Sequence, residues 1–438
     1  MDSERWGIVG GGVMGMTLAH RLAKEGKNVT LFEAAPELGG LASSWKMEEV
    51  EWDKFYHVIL LSDYRTRNIL KEIGVDDQIN WVETKTGFYM NGKLYSMSDT
   101  IEFLKFPTLN LIDKLRLGLT IIIASRIKNW KRLEKIPVTN WLQRWSGKNT
   151  FNKIWLPLLR AKLGESYKKT SAVFIWATIQ RLYGARRSGL KKEMFGYVSG
   201  GYKKIISAFK KTLISEEVSI KTNYVAKEIK KLPSEKIEIC FKTGFTEQFD
   251  KVIVTLPSGI AGKLCPQLNN NEIDKLENIE YLGVVCVSLL LDRPVSDYYI
   301  TNITDSWIPF TGVIEMSALV DKKYFNGKSL IYLPKYVTVD DEIYQKPDQE
   351  IKETFIDIFQ KMYPQIKRED IKFAGVARAR NVITVSKLNY SENLPDIKTS
   401  IPNLFIVNTS HIKDGTLNVN ETVRVAETKL EEILEKNL

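Results

Sequence analysis

Cysteine and histidine are scarce in this sequence: 438 residues contain three of each. Cys240, Cys265 and Cys286 are widely spaced and form no CxxC pair. This pattern disfavours both a disulfide framework and a structural zinc site. We therefore expect neither a metal centre nor a fold stabilised by disulfides.

Long hydrophobic runs are also missing. The most apolar window, residues 117–125, is short and is bounded by Lys and Arg, whereas a helix needs about 20 apolar residues to cross a bilayer. The first apolar strand begins at Trp6, too early for a signal peptide with a basic region and an apolar stretch. We expect a cytoplasmic protein that can associate peripherally with the inner face of a membrane.

The overall composition is that of a globular protein, with 44% hydrophobic and 26% charged residues. No low-complexity run or repeat of 20–50 residues is present, and the length predicts two or three lobes. The net charge of +10 favours anionic partners such as phosphates or anionic lipids. No nucleic-acid-binding motif accompanies the charge, so no nucleic-acid partner is expected.

The first forty residues combine strand, glycine-rich turn, helix, strand and acid in that order. An apolar run at 6–9 precedes the sequence GGGVMG, helical spacing of apolar residues follows, and a second strand at 28–32 ends at Glu33. Gly10 permits the tight turn, Gly12 lets the backbone approach a pyrophosphate, and Gly15 lets helix and strand pack closely. The order predicts a dinucleotide-binding unit.

Glu33 lies where a carboxylate would bind the ribose hydroxyls. Ala34 and Ala35 follow it instead of an arginine, which disfavours NADP. A second glycine pair, Gly39-Gly40, comes soon afterwards and would let another loop approach the same pyrophosphate.

The stretch around this second pair resembles the FAD-binding N-terminus of the amine oxidase superfamily. That superfamily includes monoamine oxidases, protoporphyrinogen oxidases, phytoene desaturases and, more distantly, UDP-galactopyranose mutases. The family usually carries a basic residue after the glycine pair, where this chain has Leu41. The resemblance implies FAD as the cofactor.

Later segments extend the resemblance to about half of the chain. Residues 53–57 are similar to the family segment that passes the flavin ring, so His57 is a candidate for the flavin face; a partly buried histidine that is hydrogen-bonded to the backbone is the alternative. Val225 matches a residue that contacts adenine through its backbone. Asn408 stands where the family has an acid near the ribityl chain, and Asn420 is the predicted N-cap of the last helix.

The motif and the resemblance together assign cofactor binding to Gly10, Gly12, Val13, Met14, Gly15, Glu33, Ala34, Gly39, Gly40, Leu41, Ala42, Tyr56, His57, Val225, Thr255, Pro257, Asn408, Thr409, Asn418, Val419 and Asn420.

The predicted fold class is α/β, with a Rossmann-like FAD-binding domain of the GR2 flavoprotein type, a β-sheet substrate domain and a helical insertion. The FAD-binding domain is discontinuous and comprises residues 1–60, 196–270 and 395–438. The substrate-binding domain comprises 61–100 and 271–394, and the helical insertion comprises 101–195.

Apolar residues in the insertion recur at helical spacing, as at Leu111, Leu115, Leu119 and Ile122. Basic residues flank this region at Arg126, Lys128, Lys131, Arg132 and Lys135, and again at Arg186, Arg187, Lys191 and Lys192. Two interpretations stay open: an amphipathic basic surface that binds an anionic membrane, or a core-facing helix with a solvated basic face.

For catalysis, the candidates are His57, Glu315 and Arg380, the last two being polar groups at or near apolar strands that could also form surface ion pairs. The sequence has no second GxGxxG, so no nicotinamide-binding lobe is expected. The resemblance implies an FAD-dependent oxidoreductase that takes a hydride from an isoprenoid-, lipid- or porphyrinogen-like substrate and is reoxidised by oxygen or a quinone. A non-redox sugar mutase and a non-catalytic flavoprotein are the alternatives.

Overall fold

The computed structural model describes residues 4–98, 100–184 and 193–435. The basic residues predicted to flank the insertion at Arg186, Arg187, Lys191 and Lys192 lie outside the described residues.

The strands of the described chain, in order, are β1 (Arg5–Val9), β2 (Asn28–Phe32), β3 (Ser44–Met47), β4 (Val50–Asp53), β5 (Ile59–Leu60), β6 (Ile79–Glu83), β7 (Lys85–Met90), β8 (Lys93–Ser96), β9 (Met194–Val198), β10 (Ser219–Lys221), β11 (Ala226–Lys231), β12 (Ile237–Phe241), β13 (Thr246–Phe249), β14 (Lys251–Val254), β15 (Tyr281–Leu291), β16 (Tyr298–Ile303), β17 (Gly312–Glu315), β18 (Ser329–Thr338), β19 (Ile371–Thr384) and β20 (Leu404–Ile406). The α-helices are α1 (Val13–Lys24), α2 (Tyr64–Glu72), α3 (Thr100–Lys105), α4 (Leu111–Arg126), α5 (Val138–Thr150), α6 (Leu156–Leu163), α7 (Val173–Gly184), α8 (Gly201–Ser215), α9 (Ser258–Leu264), α10 (Asn270–Glu277), α11 (Asp348–Met362) and α12 (Val419–Ile433).

The first sheet is parallel and has the order β10-β2-β1-β14-β20. Its strands are apolar because both faces are covered. Helices α1, α8 and α12 pack on one face, and the antiparallel sheet β11-β12-β13 packs on the other. Parallel pairing brings the carboxyl ends of β1, β2, β14 and β20 to one edge, where Gly10, Glu33, Thr255 and Asn408 follow.

The strands of this sheet lie within the three ranges predicted for the FAD-binding domain. The domain boundaries themselves stay a prediction.

The second sheet has the order β19-β15-β18-β17-β16-β7-β8. Its long central strand β15 is buried over its whole length because alternate side chains enter two different cores. Val285, Val287 and Leu289 pack with α11 on one side. Cys286 and Leu290 face the other side, toward strands β3 and β4. We call these the α11 face and the inner face.

Helices α4 to α7 share a separate core that is rich in tryptophan and leucine. One face of α4 does not join it: Leu111 is 65% exposed, Leu115 is 64% exposed and Leu119 is 49% exposed. The buried face of this helix contains Leu117 and Ala124 instead. Helix α4 therefore has two apolar sides. The side with Leu117 and Ala124 packs inward, whereas the predicted leucine row is exposed, so the core-facing interpretation is wrong for that row.

A buried polar network around Asn408 joins the ends of β14 and β20. The Asn408 Nδ2 group donates to the Leu256 carbonyl at 2.9 Å and to Ser258 Oγ at 3.2 Å. The Asn408 Oδ1 atom accepts from the Ser410 amide at 3.0 Å and from Ser410 Oγ at 2.7 Å. All polar atoms of this 1% exposed side chain are bound within the protein, so its contacts do not support the predicted direct role in cofactor binding.

We expect Asn408→Asp to lower the free energy of unfolding by about 1–3 kcal/mol, because an ionised carboxylate cannot donate to the Leu256 carbonyl. Asn393→Asp, at an exposed position, is the matched control and should change stability by less than about 0.5 kcal/mol. Urea unfolding measures both. Equal stability of the two variants would show that the donor bonds of Asn408 do not hold the strand ends together.

Candidate functional site

The glycine turn after β1 requires glycine at both ends. Gly10 has φ +116°, and a Cβ there would lie 2.3 Å from Thr255 Oγ1. A Cβ on Gly15 would lie 1.9 Å from the Gly10 carbonyl oxygen. The Thr255 hydroxyl donates toward the carbonyls of Val9, at 3.0 Å, and Gly10, at 3.2 Å. Thr255 therefore supports the turn from the neighbouring strand.

Gly12, in contrast, faces open space: a Cβ there would meet no atom within 4 Å. It is the N-cap of α1, no side chain caps this helix end, and no acidic residue lies in the first turn. The first turn of α1 therefore presents backbone amides at the positive end of the helix dipole, with no side chain covering them. This cradle fits the pyrophosphate of a dinucleotide.

The second glycine pair closes the cradle. The Gly39 amide donates to the Gly11 carbonyl at 2.9 Å, and a Cβ on Gly40 would lie 3.3 Å from Gly12 Cα. Gly39 and Gly40 have φ values of +122° and +56°, which favour glycine. The sequence prediction that this pair approaches the first turn is consistent with these distances.

Glu33 is fixed beside the cradle. One carboxylate oxygen accepts the Gly11 amide at 2.7 Å and the other accepts the Ala35 amide at 2.8 Å. Each oxygen retains a lone pair, so the carboxylate can still accept ribose hydroxyls. The Glu33 carbonyl also accepts the Tyr224 amide at 2.9 Å, which places the next residue, Val225, on the same side.

The other predicted cofactor residues surround this edge with different contacts. The Val225 carbonyl already accepts the Lys242 amide at 2.9 Å, which leaves its own amide for a base contact. Ala34 is exposed, Leu41 is half-buried and Ala42 is buried. Pro257 is the N-cap of α9, and Thr409 and Val419 are half-buried before and at the start of α12.

The predicted N-cap at Asn420 is wrong. Asn418 caps α12, because its Oδ1 accepts the Glu421 amide at 3.0 Å while its backbone is extended. Asn420 lies inside the first turn, where its Oδ1 accepts the amides of Arg65 and Thr66 at the start of α2. The correction arises because two asparagines flank the helix start, and only backbone geometry distinguishes them.

Three parts of the chain converge on a group of tyrosines that we call the tyrosine cluster: Tyr56, Tyr332 and Tyr336. The Tyr332 hydroxyl, on the inner face of the second sheet, donates to the Asp53 carbonyl at 2.5 Å. The Tyr56 and Tyr336 hydroxyls are 3.0 Å apart. Lys162, from α6 of the helical region, places its Nζ 3.6 Å from the centroid of the Tyr336 ring.

His57 follows Tyr56 of this cluster in the chain, and its ring centroid lies 4.8 Å from that of Tyr202. Its buried Nδ1 makes no hydrogen bond of ordinary geometry within the described chain and lies 3.8 Å from an Asp53 carboxylate oxygen. Burial lowers the pKa of His57 to about 4 and raises the pKa of Asp53 to about 8. Both groups are therefore neutral near pH 7, and their contact is not an ion pair.

The Asp53 carboxyl also accepts the Tyr202 amide at 2.9 Å, at the start of α8. Gly200 and Gly201 allow this approach, because a Cβ on Gly201 would lie 3.0 Å from the same carboxyl oxygen. Asp53 thus fixes the segment that contains His57 to α8, which packs on the first sheet.

Glu315 and Arg380 are not brought to this site. Glu315 pairs with Ile331, whose side chain packs on the α11 face, and its carboxylate accepts the amides of Val295 and Ser296 at 3.2 and 2.9 Å. Burial raises its pKa to about 7. The predicted catalytic role of Glu315 is corrected: strand alternation directs it away from His57, and it holds a loop instead.

Arg380 is exposed on the α11 side as well. Its guanidinium donates to the Val339 carbonyl at 2.6 Å and stacks 4.3 Å from the Tyr344 ring centroid. Its predicted catalytic role is likewise corrected, because the side chain lies on the face of the sheet opposite to the tyrosine cluster.

Lys162 was missed by the sequence analysis, although a signal existed. It follows Leu158 and Leu159 at helical spacing of four and three residues, which predicts that it shares their face of α6. Arg181, on α7, is a second missed cation and contacts Asp63 at 3.2 Å.

This chain is similar to several known proteins. The family model described as flavin containing amine oxidoreductase matches residues 15–385. A 15-cis-phytoene desaturase from Capsicum annuum is 23% identical over 425 residues, which is 86% of this chain and 68% of that protein. A mitochondrial protoporphyrinogen oxidase from Nicotiana tabacum is 25% identical over 171 residues, which is 37% of this chain and 33% of that protein. Reduced UDP-galactopyranose mutase has a similar fold, with a TM-score of 0.75, 15% identity and coverage of 99% of this chain and 96% of that one.

Gly12→Ala and Gly15→Ala form a matched pair that tests the cradle. Gly12→Ala should fold normally, because its methyl group meets no protein atom, but should weaken FAD binding at least about tenfold by obstructing the pyrophosphate. Gly15→Ala should unfold at lower temperature even without FAD, since its Cβ overlaps the Gly10 carbonyl. Flavin fluorescence titration and thermal unfolding of the FAD-free proteins measure the two effects. Normal FAD affinity in Gly12→Ala would contradict the assignment.

Proposed function

Because this chain belongs to the family of flavin containing amine oxidoreductases, its cofactor is FAD, and we propose that it removes a hydride from a small hydrophobic substrate. The chain is thus an FAD-dependent oxidoreductase of α/β flavoprotein fold. When bound, FAD would supply the chemistry by accepting a hydride from a carbon atom of the substrate, which also releases a proton to water and so leaves as a neutral oxidised product. The protein binds, orients and shields the reacting groups.

The cofactor would be held by the cradle described above. The amides that follow Gly12 would bind the pyrophosphate, and Glu33 would accept the ribose hydroxyls. Asn418, at the cap of α12, would direct the positive end of that helix toward the flavin ring, which favours negative charge there.

The tyrosine cluster is the observation that supports a hydrophobic substrate. The inner face of the second sheet presents Tyr332, Tyr336 and the buried thiol Cys286 in one apolar cluster with Tyr56 and its neighbours. Aromatic rings supply a large apolar contact area. A hydrophobic substrate bound against these rings would lie next to His57, between the first sheet and the second sheet.

The neutrality of this region supports chemistry at an uncharged carbon. His57 remains unprotonated at pH 7 because burial depresses its pKa, and the Asp53 carboxyl remains protonated because burial raises its pKa. His57 would therefore orient a neighbouring hydrogen-bond donor through Nδ1 rather than stabilise an anion. A site without fixed charge at this point suits an apolar substrate.

The acceptor of the electrons would be oxygen or a quinone. The described residues contain one parallel dinucleotide-type sheet, β10-β2-β1-β14-β20, and its edge is used by the FAD cradle. A small diffusing oxidant would not need a second nucleotide-binding lobe.

The exposed side of α4 supports a further proposal, namely that this helix rests on an anionic membrane. Leu111, Ile112, Leu115, Leu119 and Ile122 are each at least 44% exposed and follow one side of the helix. Exposed basic residues follow at Arg126, Lys128, Lys131 and Arg132. Apolar insertion flanked by Lys and Arg is the pattern of peripheral membrane helices. None of the helices in the described chain has the length and apolar character needed to span a bilayer.

The visible spectrum of the purified protein and its anaerobic reduction test the proposed function. We expect a bound oxidised flavin that bleaches when isoprenoid, lipid or porphyrinogen pools are added without oxygen, and that recovers with oxygen or a quinone. A UDP-sugar that raises the melting temperature, with no bleaching by any apolar pool, would favour a mutase and contradict hydride removal.

Vesicle flotation tests the membrane proposal. The triple variant Leu111→Ser, Leu115→Ser and Leu119→Ser should bind phosphatidylserine vesicles at least about tenfold more weakly, since it removes three apolar side chains from the contact. Ile214→Ser, 57% exposed on α8, is the matched control and should bind like the unaltered protein. Equal binding by all three proteins, or no binding by the unaltered one, would contradict the proposal.

A further inference from the structure

Lys162 is an unusual residue to find against the tyrosine cluster. Its stem leaves α6 near the C-terminal end of that helix, and its Nζ lies 3.6 Å from the centroid of the Tyr336 ring. Tyr336 in turn contacts Tyr56 through the two hydroxyls, and Tyr56 precedes His57. The amine is therefore connected to the candidate flavin face through two side chains.

Within the part of the chain that the structure describes, no carboxylate or carbonyl oxygen hydrogen-bonds to the Lys162 amine; its recorded contact is the Tyr336 ring face. The other buried or half-buried cations of the helical region have oxygen partners. Lys114 donates to the Leu104 carbonyl at 2.6 Å, and Arg181 contacts Asp63.

The Lys162 amine is half-buried and has no oxygen partner among the described residues. Partial removal from water disfavours the ammonium form, and no nearby carboxylate opposes this effect, so burial lowers the pKa of Lys162. The face of a tyrosine ring offsets only part of this effect. The half-buried amine, beside the ring of Tyr336, is open to an anionic partner that comes from outside the protein.

We propose that Lys162 binds an acidic group, a carboxylate or a phosphate, carried by an otherwise apolar substrate. This inference rests on the proposed function, because it specifies the substrate class of the same site. A pure hydrocarbon would leave the amine unpaired, whereas an apolar acid places its tail on the tyrosine cluster and its anion on the lysine.

The arrangement also orients the substrate. With the acid at Lys162, the Tyr336–Tyr56 pair lies between the anion and His57. The reacting carbon would then be set apart from the acid along the tail rather than adjacent to it. Hydride removal would occur in the neutral region, and the charged end would remain at α6.

Ligand binding to the FAD-loaded protein tests the proposal. The probes are dodecanoate, dodecyl phosphate, inorganic phosphate and the uncharged dodecanol, each below its micellar concentration, and the readouts are the flavin spectrum and the melting temperature. Lys162→Met removes the cation, Lys162→Arg retains it, and Lys168→Met replaces an exposed lysine of the same region as control (66% exposed).

We expect the unaltered protein to bind dodecanoate or dodecyl phosphate, and Lys162→Met to bind them at least about tenfold more weakly. Lys162→Arg and Lys168→Met should retain binding within a few-fold, and dodecanol should bind all four proteins equally. Preference between the two acids identifies the acidic group. Binding of inorganic phosphate alone at the same strength would show an anion site unrelated to an apolar substrate and would overturn the proposal.

Equal affinity of Lys162→Met and the unaltered protein for both acids would also overturn it, provided that both retain the same flavin spectrum. This failure is distinct from failure of the proposed function. If an uncharged pool bleaches the flavin equally in both proteins, hydride removal stands and the acid-binding role of Lys162 falls. If the acids bind through Lys162 but nothing bleaches the flavin, the acid-binding role of Lys162 stands and hydride removal falls.

Discussion

The close approach of α1 to β1 is the constraint on which the rest of this protein depends. The Gly10 carbonyl oxygen lies where a Cβ at position 15 would be. Only glycine at that position therefore lets α1 begin so close to the end of β1. This contact places the open backbone at Gly12 over the carboxyl edge of the parallel sheet. Glu33, Thr255 and the second glycine pair then meet at the same edge because parallel strands end together. The cofactor cradle follows from backbone packing, and few side chains are needed to form it.

The charged amine of Lys162 is kept apart from the uncharged region around His57 and Asp53. The His57 segment is held by hydrogen bonds from neutral donors, the Tyr202 amide and the Tyr332 hydroxyl, while burial keeps His57 and the Asp53 carboxyl uncharged. The cation Lys162 lies at the far side of the tyrosine cluster, on an element of the helical region. The first sheet and its glycine turns thus form the cofactor cradle, the inner face of the second sheet supplies apolar contact area, and the helical region supplies the amine of Lys162.

Local patterns identified the cofactor half of this molecule from sequence, because its determinants are adjacent in the chain. Strands at 6–9 and 28–32 and the glycines between them are recognisable without tertiary information. Glu315 could not be placed in this way, since β17 is buried on both faces and its sequence does not indicate which face meets the site. Arg380 lies on β19, which is half-buried along most of its length, so its sequence is equally uninformative about the face. The same ambiguity affected α4, which is apolar on two sides. A half-buried lysine such as Lys162 has the same local sequence as a surface lysine, and only packing against β18 distinguishes it.

The helical region has its own core, formed mainly by residues of α4 to α7. Phe88 and Met90 of β7 and Leu282 of β15 join this core, so the helical region is packed onto the second sheet. Under the two proposals above, α6 carries the acid-binding lysine and α4 carries the membrane-facing leucine row. One block of helices would then set both the kind of molecule that is accepted and the place where it is collected.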